Sequence, residues 1–237
     1  MSTEIPRTLE VLWGAGVRAA RGPQHALHLD RIVAAAIEIA DRDGLAALSM
    51  ARLAEQVGSA PMSLYRHVAN KDELLVFMQD AAPGPPPELP AGWRAGLAVW
   101  ARALRGVYYA HPWILQVTAG RPPLEPGQLA WLDRGLAALQ GTGLTVYQRF
   151  DAVMAVLNYV RGDAHVMAVL LGGAPDFMVG YADLIRRFVR AERFPVLAAA
   201  VDEGLFDPGP GDADGSRSFE FGLERILDGC QQIIDNP

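Results

Sequence analysis

Along nearly the whole of this 237-residue chain, apolar residues recur at spacings of three and four, and the period-two alternation of a half-buried strand is missing. That spacing constrains the chain to an all-α fold. Ile32, Val33, Ala36, Ile37 and Ala40 share one face of a helix expected over 30–42, and Gly44 supplies its left-handed stop. A second helix starts at Ser49, a good N-cap, buries Leu53, Ala54 and Val57, and ends at Gly58. A third runs from about Ala60 to Ala69 with Pro61 in its first turn, where a missing N–H costs nothing. Asn70 with Glu73 three residues on reads as a capping box opening a fourth. Longer helices are expected over 93–110, 126–140, 145–171, 176–203 and 217–235, separated by Gly- and Pro-rich stretches.

Residues 82–92 (APGPPPELPAG) cannot be helical, because proline removes donors and clashes with the preceding turn. They divide the chain into a unit over 29–81 and a larger one over 93–237. Residues 1–28 are expected to form an irregular, flexible arm. Its Arg18 and Arg21, with no acid between Val11 and Leu29, suit either a disordered tail or an arm that touches phosphate or a minor groove.

Half the residues are hydrophobic, 51%, and 20% are charged, so a sizeable core can be buried and the composition argues against bulk disorder. The net charge of −6 argues against binding nucleic acid by charge alone. Lys71 is the only lysine among the 21 Lys and Arg residues, a bias we assign to codon usage. A single cysteine, Cys230, excludes an internal disulfide and a cysteine zinc site and fits a reducing cytosol. No apolar run reaches the roughly 18 to 20 residues that span a bilayer. The segment Met1–Arg7 lacks the start of a signal peptide. A cytoplasmic protein without a membrane partner is therefore expected.

The helices meeting at Gly58-Ser59 have helix-turn-helix spacing, whose second helix enters the major groove of double-stranded DNA. In that second helix Leu64 and Val68 face the core. Pro61, Met62, Ser63, Tyr65, Arg66 and His67 are then left for DNA. Arg66 suits guanine or phosphate, Ser63 and Tyr65 suit phosphate, and Met62 or Pro61 suits a thymine methyl. Ser49, Arg52 and Lys71 complete the candidate DNA-binding set, Lys71 as a phosphate contact. Between Gly44 and Lys71 three bases, Arg52, Arg66 and Lys71, stand against one acid, Glu55, so charge is segregated locally. A plain helical hairpin with Tyr65 packed into it satisfies the same pattern.

The motifs from Leu29 to Phe77 decide between these readings by resemblance. They are Ala35-Ala36-Ile37, Asp43-Gly44-Leu45, Leu48-Ser49-Met50, Leu53-Ala54, Gly58, Ser63 to Val68 and Asn70 to Leu75. The stretch resembles the DNA-binding domain of the TetR family. His111-Pro112, Gly120-Arg121-Pro122, the 145–171 helix and Phe219 to Glu224 resemble the C-terminal domain of tetracycline-repressor-type proteins. The resemblance implies a homodimer on a two-fold symmetric operator, released when a small-molecule effector binds. It also implies a histidine just before the Arg-Pro pair for a magnesium–drug complex. Thr118 stands near that position instead, so no cofactor or metal is carried over.

Polar residues inside otherwise apolar helices mark a candidate effector pocket. Asn158, Arg161 and His165 interrupt the 145–171 helix, as does Asp163. Trp100, Trp113, Thr118, Arg121, Trp131 and Met167 are candidates to surround them, a mix that suits a planar or polycyclic ligand. An ordinary core with a solvated face accounts for the same residues. The segments 176–203 and 217–235 are expected to form the dimer, the last with Phe219, Leu223, Ile226, Leu227, Ile233 and Ile234 at helical spacing. Alternatives to a repressor are an activator or a ligand-independent DNA-binding protein. An enzyme is disfavoured, because no phosphate loop, dinucleotide fingerprint or HExxH occurs and Asp176 has no motif-defined partner.

Overall fold

The computed structural model describes residues 5–14, 28–117, 122–171, 177–206 and 215–236, and among these every regular element is helical. The order is α1 (Arg7–Leu12), α2 (Leu29–Asp43), a 3-10 turn (Leu45–Ala47), α3 (Met50–Gln56), α4 (Pro61–Leu64) and α5 (Lys71–Ala81). There follow α6 (Trp93–Ala110), α7 (Ile114–Val117), α8 (Pro126–Ala138), α9 (Val146–Leu171), α10 (Phe177–Phe188), α11 (Pro195–Asp202) and α12 (Ser216–Asp235). No described helix is long and apolar enough to cross a membrane.

The expected caps form. Ser49 Oγ accepts from the Arg52 N–H at 3.2 Å, and Asn70 Oδ1 accepts from the Glu73 N–H at 2.8 Å. Gly58, at φ 66°, turns α3 toward α4, and the Ser59 N–H returns to the Ala54 carbonyl at 2.9 Å. Residues 82–92 are non-helical, and α6 begins at Trp93 and ends at Ala110, where Pro112 follows.

In the larger part, α6 and α9 pack side by side, α8 lies against both, and α12 covers α9. Val153, Val156, Val160 and Ala164 give α9 its buried face. Gly135 allows the close approach of α8, since a Cβ there would lie 3.0 Å from Val153 Cγ1 and 3.1 Å from the Trp100 ring. One hydrophobic core runs from Ile32 in α2 through Leu97 in α6 to Leu227 in α12.

Three expectations need correction. The third helix, expected from about Ala60 to Ala69, is the single turn Pro61–Leu64, after which residues 65–67 form a turn. Residues 7–12 of the supposed irregular arm are helical, and Leu9 is buried. The stretch is too short to show periodicity, but it buries apolar area against α5. The single helix expected over 176–203 is two helices. The chain turns at Arg190, whose carbonyl accepts from the N–H groups of Arg193 and Phe194, and Pro195 opens α11. Proline has no N–H for a continuing helix and suits a first turn.

Candidate nucleic-acid interface

The α3–α4 pair is a helix-turn-helix whose second helix is a single turn. Leu64 and Val68, both fully buried, fasten it to the body. Four apart, they fix which side of the turn faces out. Pro61, Met62, Tyr65 and Arg66 are exposed there, Met62 at 73%, while Ser63 and His67 are half-buried. A methionine so exposed is uncommon for its type. Arg66 has no hydrogen-bond or ion-pair partner among the described residues.

The other cations of the candidate set are engaged within the protein. Arg52 donates to the Asp43 carboxylate at 2.5 Å, which Arg42 also reaches at 2.9 Å. Lys71 Nζ donates to the Leu48 carbonyl at 2.8 Å and lies 3.5 Å from that of Leu45. It thereby ties the start of α5 to the 3-10 turn. Ser49 spends its hydroxyl on the cap of α3. The structure thus brings Pro61, Met62, Tyr65 and Arg66 together on one exposed face and holds Ser49, Arg52 and Lys71 as its framework.

One residue of this region, Arg7, was not singled out by motif, and Glu73 was read only as a cap. The buried Glu73 carboxylate accepts from the Ala69 N–H, closing the capping box one residue early, and pairs with Arg7 of α1. Arg7 also donates to the His67 carbonyl at 3.4 Å. The sequence shows the box, but nothing in it joins residues 66 positions apart.

The candidate effector residues divide. Trp100 and Trp131 are core, and their indole N–H groups serve the framework: Trp100 donates to the Trp131 carbonyl at 2.8 Å, and Trp131 to the Gly84 carbonyl at 2.9 Å. Trp113, also buried, donates to Asp41 of α2 at 2.7 Å, and His111 Nδ1 meets the same oxygen at 2.8 Å. Asn158 and His165, seven apart, are exposed on the side of α9 away from its buried face. Arg161 is half-buried and its charge reaches Tyr108, whose phenol is pushed upward by burial and drawn back by that arginine. A Cβ on Gly215 would lie 3.0 Å from Met167 Sδ, which places Met167 against the start of α12. Thr118 and Arg121 lie outside the described residues, as do Arg18, Arg21 and Asp176.

The inward polar group beside Arg161 is Asp163. Arg105 donates to it at 2.8 Å with both side chains nearly buried, and stacks over the rings of Tyr109 at 4.4 Å and Phe219 at 4.6 Å. Tyr159 OH donates to the Phe219 carbonyl at 2.9 Å. These contacts make the α6–α9–α12 junction aromatic and charge-paired.

Comparison with known proteins bears on both parts. Residues 32–77 match the family model for bacterial regulatory proteins of the tetR family, and residues 86–234 match that of the tetracyclin repressor-like C-terminal domain. The chain is 39% identical to the HTH-type transcriptional repressor DrrR1 of Streptomyces coeruleorubidus over 98% of its own length and 88% of the relative's. It is 29% identical to the class A tetracycline repressor of transposon 1721 from Escherichia coli, over 86% and 90% of the two chains. Among solved structures, Streptomyces coelicolor ActR in complex with actinorhodin superposes with a TM-score of 0.73 at 30% identity, covering 88% of this chain and 99% of that one.

Proposed function

The chain belongs to the TetR family of bacterial regulatory proteins, and from that premise we propose that it is a transcriptional repressor, released from a palindromic operator by a small polycyclic effector. Residues 29–81 are the DNA-binding domain and 93–237 the effector-binding and dimerisation domain. The observation that carries the reading is the single-turn helix α4, fastened by Leu64 and Val68, with Pro61, Met62, Tyr65 and Arg66 exposed together. Arg66 supplies a guanidinium for a guanine edge or a phosphate, and Met62 an apolar surface for a thymine methyl.

Dimerisation follows from the apolar surface left uncovered. Leu184 and Phe188 of α10 and Phe221 and Ile233 of α12 are exposed. A two-fold pairing of these helices would bury them in a four-helix bundle and present two recognition helices to successive major grooves. The effector class is supported by the aromatic junction around Arg105, Tyr109 and Phe219 and by the 30% identical ActR, solved with actinorhodin. Of the candidate pocket residues, Met167 adjoins that junction, since a Cβ on Gly215 would lie 3.0 Å from its Sδ and 3.7 Å from Arg105 Nη2. Release requires the effector to prefer the conformation that does not fit DNA, and DNA must then weaken the effector by the same factor.

Footprinting on duplexes selected from a random pool tests the reading. A protected site with two-fold symmetry, lost on adding a polycyclic aromatic ligand such as actinorhodin, is the expected result. A site without symmetry would overturn the dimer, and the absence of any selected duplex would overturn the whole reading.

A further inference from the structure

Helix α1 lies before the residues matched by the helix-turn-helix family model, which begin at 32. It nonetheless touches the DNA-reading part at one end and the larger part at the other. We propose that α1 is a strap that fixes the orientation of α4 on the body, with Arg7 as its positioning residue. The proposal rests on the DNA-binding reading above.

Arg7 meets the turn that carries the chain from α4 into α5. Its guanidinium pairs with Glu73, whose side chain is 7% exposed, and donates to the His67 carbonyl. Glu73 in turn holds the Ala69 N–H. A carboxylate so buried is costly without a cation beside it, and Arg7 is its cation among the described residues. Removing Arg7 leaves that charge unpaired and frees one end of residues 65–70, the segment that includes Tyr65 and Arg66. At the other end of α1 the Trp13 indole N–H donates to the Leu124 carbonyl at 3.0 Å, just before α8. Between the two ends Leu9 is buried, and Val11 and Leu12 pack on the core. The strap therefore joins residues 67–73 to residue 124 independently of the covalent path through residues 82–92.

A direct phosphate contact by Arg7 is the competing role, and the two roles differ in what they move. Positioning affects the selected duplex alone. A phosphate contact affects all duplexes and the salt dependence.

The test measures binding of full-length wild type, Arg7→Ala, Arg7→Lys and Trp13→Phe to the selected duplex and to a scrambled duplex of equal length, over a range of salt, with thermal unfolding in parallel. Arg7→Ala should bind the selected duplex about tenfold more weakly, leave the scrambled duplex and the salt slope unchanged, and be largely rescued in Arg7→Lys. Trp13→Phe keeps the ring but lacks the N–H, and should lower the selected-to-scrambled ratio with little change in melting. It decides the matter if Arg7→Ala proves unfolded. Wild-type binding by both Arg7→Ala and Trp13→Phe overturns the proposal. So does an equal loss on both duplexes with the salt slope reduced by about one. A wild-type chain that selects no duplex overturns the DNA-binding reading first and this strap with it.

Discussion

Gly127 has no room for a side chain because Asp80 stands where it would go: a Cβ there would lie 2.5 Å from the Asp80 carbonyl oxygen and 2.7 Å from its carboxylate. The same carboxylate accepts from the Gly127 N–H at 2.6 Å. The last turn of α5 thus caps the first turn of α8. Gly127→Ala should destabilise the protein by about 1–3 kcal/mol in urea unfolding, although alanine is the better helix former. Unchanged stability would show that α5 and α8 can part at no cost.

Asp80 also gives a pH signature. Burial raises its carboxyl above the ordinary 3.8, and the nearby Glu125 charge adds to this, against backbone hydrogen bonds from Gly127 and Gln128. The folded state therefore holds this proton more tightly than the unfolded one. The stability that the protonated group contributes is present below pH 3.8 and is lost as pH rises through the higher folded value. Asp80→Asn has no such loss. The difference in unfolding free energy, variant minus wild type, should become more positive from pH 3.8 upward; a flat or falling difference counts against it.

Arg66 and Lys71 should separate function from framework. Arg66→Ala should leave melting unchanged and cost roughly 1–3 kcal/mol on the selected duplex if the guanidinium reads a base. Lys71→Met removes the donor to the Leu48 and Leu45 carbonyls. It should cost about 1 kcal/mol of stability, read by calorimetry. The reverse pattern would exchange their roles.

Phe221, 66% exposed on α12, reports the dimer. Phe221→Glu places a charge where a two-fold apolar interface is proposed and should give monomers in analytical ultracentrifugation, with helical content unchanged. A stable dimer would move the interface elsewhere.

Local signals were legible in the sequence where one residue and its own turn determine the outcome. Ser49 and Asn70 cap their helices, Pro112 follows the end of α6, and Leu64 and Val68 face inward because four residues separate them. Pro195 carried a readable helix start, and the apolar run across 176–203 overrode it. The rest depends on contacts distant in sequence. Arg7 finds Glu73, Trp13 finds Leu124, and Trp113 finds Asp41, each pair more than 60 positions apart. Charge type alone offers Lys71 to phosphate. Only packing shows that carbonyls 23 and 26 residues upstream reach it first. Asn158 and His165 stood out as polar interruptions, but spacing does not say which side of α9 meets α6.

The internal engagement of Arg31, Arg42, Arg52 and Lys71 bears on how such a repressor would share a cell with its chromosome. Loosely held cations displace counterions from any duplex and bind a protein to DNA in bulk. Here those side chains are already held, Arg42 and Arg52 by the Asp43 carboxylate and Arg31 and Lys71 by backbone carbonyls, on a chain whose net charge is −6. Few molecules would then be sequestered at random sites, and the free pool would stay high. A low copy number could keep one operator occupied, because competition is set by specific over random affinity multiplied by the number of random sites.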